Sequence, residues 1–168
     1  MQRVLIGNVV ALVGAVIMVL TGFLKTKKQI LAAQCVQYVV LSTSNAILGA
    51  FTGITANIVG VARNLFCAKK KFTTPWKLVF IAAQLALLFA FNSDGWLGLL
   101  PAAATCAYTW FLDLKDEKKL KAVIIFTVLL WAVYDFLFKN YVTFAFDLAT
   151  AVTNAAGIAM LRKAPKQR

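Results

Sequence analysis

Apolar runs of about 17–21 residues recur along the whole chain, at 4–24, 30–49, 52–68, 76–92, 95–112, 121–138 and 142–161. Each is close to the length an α-helix needs to cross the hydrocarbon of a bilayer. Turn chemistry or charge separates them: KTKKQ, AFTG, KKKFTTPW, NSDG, LKDEKK and KNY. The runs are continuous and do not alternate with a period of two, so barrel strands do not fit. Only helices then satisfy the backbone in lipid, and an all-α integral membrane protein with seven transmembrane helices is expected. The first run is too long for a signal peptide and ends in KTKKQ without a small-residue cleavage site, so it reads as a retained span.

Composition agrees with the pattern. Of 168 residues, 61% are apolar and 14% charged, with a mean hydropathy of +0.79. A soluble domain of this length cannot hide that much apolar surface. The net charge of +12 does not point to nucleic acid, because the lysines form short clusters between apolar runs with no basic, aromatic-interleaved patch. A cytoplasmic face meeting anionic lipid explains them. With the N-terminus outside and seven spans, fifteen of the eighteen basic residues fall inside. Arg3 and Lys139 remain outside, and Arg63 lies within a span. Losing or gaining a span would throw whole lysine clusters to the other face, so N-out, C-in is the expected orientation. Cys35, Cys67 and Cys106 lie in apolar runs and read as buried thiols; with no histidine, neither a metal site nor any other cofactor is expected.

Span 3 contains NIVGVA from Asn57 and span 7 contains NAAGIA from Asn154, both running from outside to inside. Two parallel three-helix units require a linker helix between them, which gives units 1–72 and 94–168 joined by 73–93. This organisation resembles the SWEET, semiSWEET and PQ-loop (MtN3-like) group, with its three-plus-one-plus-three arrangement. The stretch SNAILGAFTGITANIVGVARN, from Ser44 to Asn64, resembles more specifically the bacterial inner-membrane YgjV-like family. The resemblance implies a bacterial inner-membrane location. From the SWEET-like group it also implies substrate contact by an Asn pair in these two helices. The proline-containing helix pair of PQ-loop proteins is missing, since Pro101 is the only proline well inside a span.

Polar groups at membrane depth are functional candidates, although helix adhesion is the commoner role for a lone Ser or Thr. Asn57 and Asn154 are expected to face each other across a pseudo-two-fold axis, where amides suit a neutral hydroxyl- or carbonyl-bearing solute. Gln37 and Asn45 in span 2, and Trp131 and Tyr134 in span 6, are expected to supply the remaining walls. For Trp131, Tyr134 and Asp135, an outer aromatic belt is the competing reading. Trp76, Trp96 and Trp110 sit near span ends and read as belt residues, and Gly14, Gly60 and Gly157 as close-packing sites. Asp135 and Asp147 are candidates for proton or cation coupling, or else simply meet outside water. Arg63 is expected at the inner end in a structural or gating role, either snorkelling to the interface or paired with Asp113.

Three function classes compete. A carrier for a small neutral solute, working by alternating access, leads. A non-transporting receptor or assembly partner on the same fold is the alternative. An intramembrane enzyme is not expected, for want of histidine, a nucleophile–base set or a close carboxylate pair. The bilayer, anionic lipid on the cytoplasmic face, and a small neutral solute are the expected partners; homo-oligomer formation is left open.

Overall fold

The computed structural model describes residues 1–21, 27–114 and 116–163. Among them are seven α-helices: α1 Gln2–Thr21, α2 Lys27–Leu48, α3 Phe51–Lys69, α4 Thr74–Phe91, α5 Leu99–Phe111, α6 Glu117–Leu137 and α7 Tyr141–Lys163. A 3₁₀ turn, Gly95–Gly98, leads into α5. Within the described residues each expected apolar run falls on its own helix, the fifth being shared between the 3₁₀ turn and α5; positions 22–24 of the first run lie outside the described residues. Of the clustered basic residues, Lys25, Lys115, Lys166 and Arg168 lie outside the described residues.

The surface is that of a protein dissolved in lipid. Leu78, Val79, Leu85 and Phe89 of α4 are exposed, while its buried side chains are Lys77, Gln84 and Leu88. Elsewhere too the interior holds amides, hydroxyls and alanines more than large aliphatics. Among the described residues four helices carry windows long and apolar enough to cross a membrane: Leu31–Leu48, Thr74–Phe91, Lys118–Leu137 and Tyr141–Met160. Gln2–Met18 adds a shorter apolar stretch. α3 lacks such a window because its inward face carries Thr52, Asn57, Arg63 and Asn64. α5 has 13 residues and gains reach from the 3₁₀ turn, the two together spanning about 28 Å. Pro101 falls in the first turn of α5, where a missing N–H costs no helical bond.

Extensive contacts join α1 to α2, α2 to α3, α3 to α5, α5 to α6, α6 to α7 and α7 to α1. Six helices thereby close a ring, and α4 packs outside it against α3 and α5. Glycines set how closely α2 approaches its neighbours. A Cβ on Gly7 or Gly14 of α1 would strike Leu48 or Leu41. One on Gly53 or Gly60 of α3 would strike Asn45 or Tyr38. Both glycine pairs repeat every seven residues and receive α2 side chains seven apart in the opposite direction, as antiparallel helices require.

The turns after α2 and α6 are built alike. Ala50 N–H donates to the Asn45 carbonyl (2.9 Å) and Gly49 N–H to that of Ala46 (3.4 Å), with Gly49 at φ 84°. Asn140 N–H donates to the Asp135 carbonyl (2.8 Å) and Lys139 N–H to that of Phe136 (3.1 Å), with Lys139 at φ 61°. Both are Schellman caps, which need a left-handed residue that glycine supplies most cheaply. A non-glycine residue there carries about 1–2 kcal/mol of strain. Lys139→Gly is therefore expected to raise stability by about 1 kcal/mol, read as a higher Tm in detergent by circular dichroism. An unchanged or lower Tm would show that Lys139 is held by interactions of its own.

Candidate functional site

α3 begins without a cap of its own, since Ala50 offers no side-chain acceptor to the first amides. Remote residues supply it. Thr52 N–H donates to Asp94 Oδ2 (2.9 Å), and Gly53 N–H donates to the Tyr134 hydroxyl (3.0 Å). Tyr134 completes the clasp by donating to Asp94 Oδ2 (2.7 Å), and the Thr52 hydroxyl donates to Asn92 Oδ1 (3.1 Å). A carboxylate at a helix N-terminus meets both the free N–H groups and the positive end of the dipole. α7 is capped in the same manner from α1: Val142 N–H donates to Asn8 Oδ1 (2.9 Å), while Asn8 Nδ2 donates to the Lys139 carbonyl (2.8 Å).

Below this layer the polar groups are buried and several are unmatched. Asp135 Oδ1 accepts from Asn140 Nδ2 (3.1 Å), and Asn140 Oδ1 accepts from the Thr143 hydroxyl (2.9 Å). Asp147 stands one turn further along α7 and is 5% exposed, against 2% for Asp135. Asp135 Oδ2, Asp147 Oδ2 and Asn57 Nδ2 have no hydrogen-bond partner among the described residues, and neither has the side chain of Gln84 in α4.

About two turns further along α3 from Asn57, Arg63 is 1% exposed. Its guanidinium donates to Asn64 Oδ1 (3.1 and 3.2 Å), Thr109 Oγ1 (3.1 Å) and Tyr38 OH (3.5 Å), and lies 4.8 Å from the Tyr108 ring centroid. Asn64 Nδ2 in turn donates to Gln34 Oε1 (2.9 Å). This corrects both expectations for Arg63. It does not snorkel, because neutral acceptors and an aromatic face are offered inside the bundle. Nor does it pair with Asp113, which is bonded instead to Lys77 Nζ (2.5 Å) at the edge of α4.

The ring places the remaining expected residues at different depths. Tyr134, near the end of α6, bonds Gly53, near the start of α3, so the starts of α3 and α7 stand at similar levels. Asn57 lies six residues into α3 and Asp147 six into α7; Asn64 and Asn154 each lie thirteen in. Asp147 is thus the level counterpart of Asn57, and Asn154 that of Asn64, about 10 Å deeper. Asn154 is half-buried, and its Nδ2 donates to the Thr150 carbonyl of its own helix (2.8 Å). Gln37 and Asn45 are buried, with Asn45 against Gly53. Tyr134 is fully buried, not in a belt, and the half-buried Trp131 meets it edge-on at 5.9 Å. Trp76, Trp96 and Trp110 are exposed near helix ends. Asp94, Asn140, Asn64, Thr109 and Gln84 carry much of the polar interior without having stood out in the sequence. Gln84, the lone amide in the apolar run of α4, was the most visible of them.

A family model described as a bacterial inner membrane protein, Imp-YgjV, matches residues 5–164. The chain belongs to that family, and its place is the bacterial inner membrane. Neither a search of curated proteins nor one of solved structures gave a match.

Removing either remote cap leaves a helix-end amide without its acceptor, buried at Gly53 and part-buried at Val142, at a cost of about 1–3 kcal/mol. Tyr134→Phe keeps the ring contacts and loses only the hydroxyl, so Tyr134→Phe and Asn8→Ala are each expected to lower the Tm in detergent. If neither variant melts earlier than the parent, the caps hold nothing that neighbouring groups do not replace.

Proposed function

We propose that this member of the Imp-YgjV family is a carrier for a small, largely neutral solute, with seven spans oriented N-out, C-in. On this reading α1–α3 and α5–α7 are parallel repeats, in the unit boundaries 1–72, 73–93 and 94–168, and α4 is the linker that restores direction. The observation that carries it is reciprocal capping: the α3 start is held by Asp94 and Tyr134, and the α7 start by Asn8. Matching Schellman turns ninety positions apart, at Gly49 and Lys139, and a closed six-helix ring support the same axis.

Between the outer clasp and the Arg63 layer lie Asn57, Asn45, Gln37, Trp131 and Asp147, and Asn154 stands level with the Arg63 layer. Both ends are tied in this conformation: Tyr134 joins α6 to α3 outside, and Arg63 joins α3 to α5 inside. Alternating access would break one tie at a time. Breaking the Tyr134–Gly53 and Asp94–Thr52 bonds opens the outer side, and parting Arg63 from Thr109 opens the inner side. The Asn57 amide nitrogen and the Asp135 and Asp147 carboxyl oxygens, left unmatched among the described residues, fit a solute that both donates and accepts hydrogen bonds. Anionic lipid at the inner face is the remaining proposed partner.

A thermal-stability screen with neutral metabolites, on the parent and on the Asn57→Ala/Asn154→Ala double variant, tests the reading. A ligand at 100 times its Kd should stabilise the parent by about 2.7 kcal/mol and the variant by less. If no compound shifts the parent, and single cysteines at 57 and 154 react from neither side in vesicles, the carrier reading fails. A non-transporting receptor or assembly partner would then take its place.

A further inference from the structure

The ninety-residue register sets two buried pairs in matching corners. In the first half it gives Asn45 near the end of α2 and Asn57 in α3; in the second, Asp135 near the end of α6 and Asp147 in α7. Asn45 and Asp135 each supply the carbonyl that accepts the long bond of its Schellman turn. Asn57 and Asp147 lie equally far into their helices. One corner is built from two amides and the other from two carboxyls, each at least nine-tenths buried.

Each carboxyl has one oxygen, Oδ2, without a partner among the described residues. Asp135 Oδ1 accepts one neutral hydrogen bond, from Asn140. The charged and titratable groups on neighbouring elements do not supply a counter-ion. Arg3 of α1 is turned to the Ile47 carbonyl of α2, and Asp94 and Tyr134 are bonded to each other. Lys139 and Tyr141 of the following turn are exposed, and Cys106 of α5 is a free thiol. Asp135 and Asp147 feel each other's charge across the packed α6 and α7; two such buried carboxyls with no cation bonded to them cannot both ionise, because each charge forfeits its hydration and repels the other. A single proton resolves this, leaving one acid and one carboxylate. The resulting negative charge also balances the buried Arg63 cation of the inner layer.

We propose that Asp135 and Asp147 hold one exchangeable proton between them, and that this pair is the proton-coupling site of the carrier. The proton arrives from water at an unpartnered Oδ2 when the corner opens to one side. It leaves to water when the corner opens to the other, with no other group oxidised, reduced or transferred. The assignment to coupling rests on the carrier reading, whereas the shared proton does not.

The test is infrared difference spectroscopy of the full chain in vesicles during a pH titration. The parent should show the carbonyl stretch of one protonated carboxyl at neutral pH, and that band should be absent from the Asp135→Asn/Asp147→Asn variant. The variant reproduces the amide corner of the first half and is expected to fold, with helical circular dichroism as the control. Asp113→Asn, at the inner edge, should leave the band unchanged. A parent without the band, or a band that survives in the double variant, overturns the proposal. So does a band bleached by sodium chloride but not by choline chloride, which would identify a sodium site. Presence of the band without any solute transport would leave the shared proton standing and remove the carrier reading.

Discussion

The start of α3 is held by residues that arrive from the other end of the chain. Its first amides have no acceptor within their own helix, and the residue before the helix has no side chain that caps them. Asp94 and Tyr134 supply the acceptors, and Asn8 does the same for α7. These bonds fix the level of α3 against α6 and of α7 against α1. The depth of Asn57, Asp147 and Asn154, and hence the site, follows from that level.

The same constraint explains why the protein is built inside out. Lipid is as apolar as leucine, so burying leucine between helices gains little, and glycines, alanines and polar pairs do the joining. α2 is seated between Gly7 and Gly14 on one side and Gly53 and Gly60 on the other. The largest buried side chain, Arg63, is tolerated because Asn64, Thr109, Tyr38 and the face of Tyr108 surround it. No carboxylate among the described residues is bonded to it, so its charge is balanced only at a distance or by what binds.

Under the proposed repeat, the two halves share the form of one turn and differ in chemistry. Their turns share a left-handed cap, yet one uses glycine and the other lysine. Their corners share a position, yet one uses amides and the other carboxyls. Pairing NIVGVA with NAAGIA implies a register of ninety-seven, seven residues from the spacing of the two turns, and a helix that repeats its face about every seven residues accommodates either. The two Schellman turns stand ninety positions apart, the register used in the proposed repeat, since a left-handed residue marks a chain position and not merely a face.

Much of the architecture was legible in the residues alone. Run length and continuous apolarity determined seven helices, and the lysine clusters determined the expected orientation, because both are properties of short segments meeting lipid. Inward polar residues such as Asn57, Gln37 and Asn45 were visible for the same reason: an amide in an apolar run has nowhere to face but protein. What only the tertiary structure decided is which polar groups meet. Arg63 went to Asn64 and Thr109 and Asp113 to Lys77, Tyr134 turned inward to cap α3, and Asp135 and Asp147 were left with an unmatched oxygen each. Those choices depend on helix rotation and depth, which are set by glycine contacts and remote caps between segments up to 134 positions apart, a distance over which no local pattern in the chain carries information.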